Sequence, residues 1–312
     1  MKKQVLIIAT ALATLAGCTS NLEPAPEPED EGIFATIEQP TLPFQTKAFK
    51  WENKALKFSW GSGENVVVFG REGNRGKSDA ALLRTLTSGE AASKLESKGF
   101  QLMDGINYYA FIPAYNFVIY SDFRSIPMTF EGQRQDVKNS TAMLKYYDYA
   151  CAKATKASGA NSLEFNLKNQ VGWIVVEHLF TEETKGVTSL TLSTTDPLFT
   201  SSCTLDATSS TISGNKYSTS LTLTLGTANG AGFDFDKGEY ARAFFTTAPV
   251  DLSGKELTIT AHKSDGTSVI LLQKTLGDCN IQKNTPVVIK TESAKSFKSV
   301  ASINGRQFGS IE

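Results

Sequence analysis

Apolar and polar residues alternate most regularly in the second half of the chain. In KELTITAHK, Leu257, Ile259 and Ala261 fall on one face and Thr258, Thr260 and His262 on the other, which is the period of a half-buried strand. Leu221, Leu223 and Leu225 alternate with threonines in the same way. Turn signals separate these runs at Leu252-Ser253-Gly254-Lys255, Ser264-Asp265-Gly266-Thr267 and Gly277-Asp278. Short strands, each followed by such a turn, predict an all-β fold of the sandwich type. The first half is less regular, with ALKFSW, NVVVFG and INYYAFIPA as strand candidates. Before them, GIFATIEQP places Ile33, Ala35 and Ile37 on one face, as a first strand would. Two segments carry helical spacing instead. Thr87 and Glu90 stand as in a capping box and Gly99 where a helix would stop, which predicts a short helix over residues 88–98. Met143, Tyr147, Ala150 and Cys151 fit a second helical stripe.

VVVFGREGNRGKSDAALLRTL raises the question of nucleotide binding, because an apolar run leads into a glycine-rich loop ending in Gly-Lys-Ser. A phosphate loop needs its first glycine five residues before Gly76, and that position is Arg71. Gly70 is one residue too far away, so the amides would not converge on a phosphate. The stretch Gly70 to Ser78 is therefore expected to be a surface connection, with Arg71, Arg75 and Lys77 facing solvent.

The N-terminus assigns the compartment. Lys2 and Lys3 precede VLIIATALATLAG, an apolar run of secretory-signal length, too short to span a bilayer comfortably. Leu15-Ala16-Gly17-Cys18 then matches the bacterial lipobox, so residues 1–17 read as a lipoprotein signal peptide and Cys18 as the lipidated residue. Acyl chains bury about 0.8 kcal/mol per methylene, so this is an anchor on the outer membrane, not a span. From Glu23 to Glu31 the chain holds three prolines and five acids, and residues 18–32 are expected to form an extended stalk. Acids soon after the cysteine also resemble the surface-export signals of Bacteroidetes lipoproteins.

The rest of the 312 residues is long enough for two domains, expected at 33–158 and 159–312. A net charge of −1 argues against a nucleic-acid partner. With Cys18 lipidated, Cys151, Cys203 and Cys279 remain, allowing at most one disulfide; Cys203 with Cys279 and free buried thiols stand as alternatives.

Chemistry is sparse. The chain has two histidines, so a multi-histidine metal site or a histidine-based triad would have to be built from almost nothing. His178 shares a face with Ile174, Val176 and Phe180, the setting of a core histidine, and His262 lies on the polar face of its strand. No Gly-x-Ser-x-Gly elbow occurs, and the carboxylates are scattered. Asn139-Ser140-Thr141 has the form of a glycosylation sequon, which the bacterial lipobox makes uninformative. These residues call for no enzyme, cofactor or metal. Tyr108 and Tyr109, with Tyr146, Tyr147 and Tyr149, form two aromatic clusters suited either to sugar stacking or to filling a sandwich core.

Four phrases, in order, resemble one family. Trp60-Gly61-Ser62-Gly63-Glu64-Asn65-Val66-Val67-Val68-Phe69 is similar to the "W…GD.I.VF" of the fimbrillin-like surface lipoproteins of Bacteroidetes, and Tyr109-Ala110-Phe111-Ile112-Pro113 to their "Y.A.YP". FEGQRQDVKNSTAMLKYYDYACA resembles "P..F.GQ.Q…N.S..L..YDYM.A", and EYARAFFTTAPVDLSGKELTITAHKSDG their "Y..L.PV..S...L.I.V...DG". Asn65 departs from the pattern, which has an apolar residue there. The resemblance, from about Trp51 to Ile289, implies two tandem transthyretin-like β-sandwich domains, with Met143 to Cys151 extended and not helical. It also implies a structural or adhesive subunit of a fimbria-like assembly, joined to neighbouring pilus subunits by strand donation, with a host or glycan ligand. The alternative is a solitary surface lipoprotein that binds glycans for a nutrient-uptake system. In the pilus-building relatives an arginine-specific protease removes the first strand. Here no arginine precedes Arg71, though Lys47 and Lys50 do.

Overall fold

The computed structural model describes residues 32–38, 59–61, 63–71, 78–96, 100–114, 123–227, 230–291, 301–303 and 306–308. In chain order the first strands are β1 (Gly32–Ile37), β2 (Asn65–Arg71), β3 (Ser78–Thr85), β4 (Ala92–Glu96), β5 (Asn107–Ile112), β6 (Ile126–Thr129) and β7 (Gln133–Gln135). They are followed by β8 (Ala150–Thr155), β9 (Ser162–Asn169), β10 (Gly172–Leu179), β11 (Thr184–Thr194), β12 (Phe199–Asp206), β13 (Thr211–Ser218) and β14 (Ser220–Leu225). The last are β15 (Phe233–Phe235), β16 (Tyr240–Thr247), β17 (Val250–Asp251), β18 (Glu256–Lys263), β19 (Ser268–Thr275), β20 (Asn280–Ile281), β21 (Pro286–Thr291), β22 (Ala301–Ile303) and β23 (Arg306–Phe308). The fold class is all-β, as the alternation predicts.

Seven strands hydrogen-bond in a closed circuit, β1-β4-β3-β2-β5-β8-β9, completed by the parallel pair β1–β9. Val66 to Phe69 are all buried, so β2 is covered on both faces, and Phe69 stacks on Phe111 with centroids 5.8 Å apart. Gly70 is required where it stands, because a Cβ there would lie 2.9 Å from Cε1 of the Tyr108 ring. On β1 the expected inward set is observed: Ile33, Ala35 and Ile37 are all buried. Trp60 ties this strand down by donating its indole N–H to Ala35 O at 3.1 Å.

Beyond the circuit, β10 lies between β16 and β21, and a larger sheet runs β19-β18-β11-β14-β7 with β15 against β11. Trp173 to Val176 are all buried, as a strand with both faces covered requires. Leu257, Ile259 and Ala261 on β18 and Leu221, Leu223 and Leu225 on β14 point inward, as their period predicts. The predicted turns form as well: Gly254 and Gly266 hold φ of 70° and 82°, where only glycine is unstrained. Four strand pairings cross residue 159, since β9 joins β1 and β8, β6 joins β12 and β7 joins β14.

Two expectations are corrected. The helix expected over residues 88–98 is not formed in its described part, 88–96: Ala92–Glu96 is strand β4, with Ser93 and Leu95 buried and Lys94 exposed between them. The capping-box pair is used otherwise, for Thr87 receives a bond from no helical turn but donates its N–H to Ser93 Oγ at 3.1 Å. Gly99 lies outside the described residues. The segment Met143 to Cys151 is neither helical nor extended throughout. Ala142–Tyr146 is a 3-10 turn, and extended structure begins at Ala150.

Candidate functional site

Cys18, expected from the sequence to be lipidated, lies outside the described residues, as do 72–77 of the glycine-rich loop. What flanks that loop decides its nature. β2 and β3 pair antiparallel from Asn65↔Arg84 to Arg71↔Ser78, so a strand follows the loop where a phosphate site needs a helix N-terminus. Titration with magnesium and ATP is expected to release no heat.

The histidines are structural. His178 is buried, its Nδ1 lies 2.6 Å from Thr291 Oγ1, and its ring packs edge-on against Phe180. Burial pulls its pKa down from 6.5 to about 4. Because the unfolded chain takes up this proton near 6.5 and the folded chain only near 4, the contribution is complete above 6.5 and lost as pH falls through 4. The loss should reach about 3 kcal/mol. Urea melts of His178→Gln should show a correspondingly flatter stability profile between these limits than the parent. His262 pairs with Ser268 Oγ at 2.8 Å, and burial lowers it too.

Cys151, Cys203 and Cys279 are free and buried, so the free-thiol alternative holds. Burial raises all three, Cys203 to about 11, which keeps them protonated and unreactive. Lys283, lowered by its own burial, spends its ammonium on Gln170 Oε1 at 2.6 Å and Ser210 O at 2.9 Å. Among the described residues no group of His, Cys, Asp or Glu is arranged to hold a metal.

The tyrosines divide. Tyr108 is buried and accepts the Met103 N–H at 2.7 Å, while Tyr109 stacks on Phe123 at 5.4 Å, so this pair fills the core. Tyr146, Tyr147 and Tyr149 instead gather on a groove of about 730 Å³ with Pro113, Pro127 and Lys216. The floor of the groove is the sheet β13-β12-β6, contributing Met128, Thr129, Ser202, Cys203, Thr204 and Gly214. Tyr149 accepts the Thr129 N–H at 3.1 Å and Tyr147 donates to Gly132 O at 2.9 Å, which fixes both rings.

Near this groove the segment Gln133 to Asn139 does something the sequence does not announce. Gln133 accepts from Thr246 N at 2.8 Å and donates to Thr246 O at 2.7 Å. Gln135 accepts from Phe244 N at 3.2 Å and donates to Arg242 O at 2.9 Å. Asn139 accepts from Arg242 N at 2.7 Å and donates to Tyr240 O at 3.0 Å. Three side-chain amides thus act as a substitute strand along the outer edge of β16, satisfying groups a neighbouring chain would otherwise find open.

No protein-family model matches the chain, and no curated protein matches it. Among solved structures it is similar to a "putative cell adhesion protein" from Bacteroides ovatus ATCC 8483, with TM-score 0.50 and 12% identity over 87% of this chain and 98% of that one. A protein of the same description from Bacteroides uniformis ATCC 8492 gives TM-score 0.49 and 12% identity over 86% and 97%. The fold that the fimbrillin-like phrases imply is all-β, and it is an all-β fold that this chain shares with the Bacteroides ovatus protein over nearly that protein's whole length.

Proposed function

We propose that the chain is a fimbrillin-like cell-surface lipoprotein, held on the outer membrane by lipid on Cys18, and a structural or adhesive subunit of a fimbria-like assembly built by strand donation. What supports the reading is the setting of β1. It lies between β4 on one side and β9 on the other, with Ile33, Ala35 and Ile37 in apolar sockets. A circuit without β1 would present two open strand edges flanking those sockets, which is the slot that a strand from a neighbour fills by main-chain hydrogen bonding. The two domains expected at 33–158 and 159–312 remain part of this proposal, with strand pairing running across their boundary.

Between the lipobox and Arg71 there is no arginine, and Arg71 ends β2, which is paired on both sides with β3 and β5. A cut there would strip β1 and β2 from the core, at about 1.5 to 3 kcal/mol for each large side chain exposed. The chain therefore keeps its first strand and its lipid, acting as a membrane-anchored base subunit or a solitary adhesin. β16 is sealed by its amides, so a next subunit would dock on β19 or β21, which end their sheets among the described residues.

Intact mass and N-terminal sequencing of surface-extracted protein test this. A diacylated N-terminus at Cys18 is expected; a mature form starting near Ala48 or Trp51, unlipidated and in long heat-sensitive ladders, would make it a shaft subunit instead. Cys18→Ala should leave an unlipidated precursor absent from the outer membrane, read by palmitate labelling and fractionation.

A further inference from the structure

We propose that the groove walled by Tyr146, Tyr147 and Tyr149 binds an acidic saccharide, a carbohydrate chain carrying carboxylates. This rests on the adhesive reading above and gives it a ligand.

Size comes first. At about 730 Å³ the groove falls within the range of small-molecule sites, on the order of 300 to 1,000 Å³, and holds more than one sugar ring. Its walls are aromatic and flat. Tyr146 is 46% exposed, so its ring can be covered by a ligand. Tyr147 has spent its hydroxyl on Gly132, which fixes its half-buried ring as a platform beside Tyr146, while Tyr149, buried and bonded to Thr129, backs the wall. The electron-rich face of a tyrosine attracts the polarised C–H face of a pyranose, so successive rings in one wall suit successive sugars.

The floor decides against a peptide strand. β12 is its central strand, and its backbone is already paired with β13 on one side and β6 on the other. No main-chain ladder is open there for an incoming strand, and recognition must pass through side chains. Thr129 Oγ1 donates to Ser201 O and accepts the Glu131 N–H, which leaves it one lone pair, and Thr204 Oγ1 donates to Ser213 O, so both hydroxyls can still accept from the O–H donors of a sugar.

Charge then selects the kind of sugar. Lys216 lines the groove and supplies its positive charge; Lys145 is outside the lining, with its Nζ 5.1 Å from the Tyr146 ring centroid. Among the described residues no aspartate or glutamate lines it. A site with positive charge and no carboxylate of its own favours a ligand that brings carboxylates.

The test uses the full-length protein in detergent, titrated calorimetrically with three acidic probes: a hyaluronan hexasaccharide, sialyllactose and trigalacturonic acid. Cellohexaose serves as the neutral control. At least one acidic probe should bind saturably and more tightly than cellohexaose. Tyr146→Ala should weaken it about tenfold. Lys216→Ala should narrow the gap between acidic and neutral probes. Tyr240→Ala, at a residue that is 51% exposed and not in the groove, should change nothing. Failure of all three acidic probes to bind, or binding that Tyr146→Ala leaves intact, would overturn the proposal. Denaturing gels of the same surface-extracted variants separate the two readings. Ladders without saccharide binding sink the groove alone, and binding without ladders supports the groove while removing the assembly.

Discussion

A chain beginning at Glu38, and so lacking β1, is expected to lose its cooperative melt and to recover it when the synthetic peptide GIFATIEQP is added. Ile33 and Ile37 each bury a side chain worth about 1.5 to 3 kcal/mol. Their loss also strips the paired backbone of β4 and β9, and each orphaned buried group costs about 1 to 3 kcal/mol. Trp60 loses the carbonyl that accepts its indole N–H. Together these exceed the roughly 5 to 15 kcal/mol that hold a domain folded. The peptide restores every one of them, because it carries the ladder groups of β1, its three inward side chains and the Ala35 carbonyl that Trp60 uses. A peptide with aspartate in place of Ile33 and Ile37 should fail, since it can make the ladder but would have to bury two carboxylates. Near-ultraviolet circular dichroism melts, with and without peptide, read the result. A truncated chain that melts like its parent without any peptide would show that β1 is dispensable, and the strand-donation reading would lose its support.

How far the sequence reaches depends on whether an element's partners are near it in the chain. The strands around Leu257, Ile259 and Ala261 are legible because inward and outward positions differ sharply in polarity, and their turns carry glycine at positive φ. β4 is not, because one of its two inward residues is Ser93, which hides the period of two behind a polar letter. Thr87 and Glu90 have a spacing that a turn shares with a helix start, and nothing local separates the two. The family phrases are legible as words before their physics is. Glu64 keeps an acid because its carboxylate accepts the Gly61 N–H at 2.9 Å, closing the turn before β2. Asn65 tolerates a polar residue because it is exposed. The groove could not be read at all beyond its tyrosines. Its floor comes from residues 127–129, 202–204, Gly214 and Lys216, brought together by the pairing of β6 with β12 and β12 with β13.

Gln133→Leu is expected to be among the most damaging single substitutions in the chain. In sequence Gln133 is a polar letter in a loop-like run, yet it is 0% exposed. Its amide serves three backbone groups: Thr246 N, Thr246 O and Phe130 O, the last at 2.9 Å. Leucine fills the same space with nothing to offer them. At about 1 to 3 kcal/mol for each buried group left unsatisfied, the cost is about 4 kcal/mol or more. For a chain of this size that lowers Tm by on the order of 10 °C. Gln273→Leu is the control, since that amide meets only the exposed Glu256 carboxylate at 2.9 Å and should shift Tm little. Gln133→Glu separates the hydrogen-bond account from one of shape. A carboxylate keeps the bond from Thr246 N but turns a negative oxygen toward Thr246 O and Phe130 O, whereas a protonated carboxyl can donate to one of them. Its folded pKa would therefore rise above the unfolded value of about 4.3, so this variant should be closest to the parent below that pH and lose stability as pH rises through the folded pKa. The edge of β16 should open as well, giving Gln133→Leu a tendency to form high-mass species by strand pairing that light scattering would detect. If Gln133→Leu melts within about 2 °C of the parent, the amides are bystanders and the β16 edge is protected by something else.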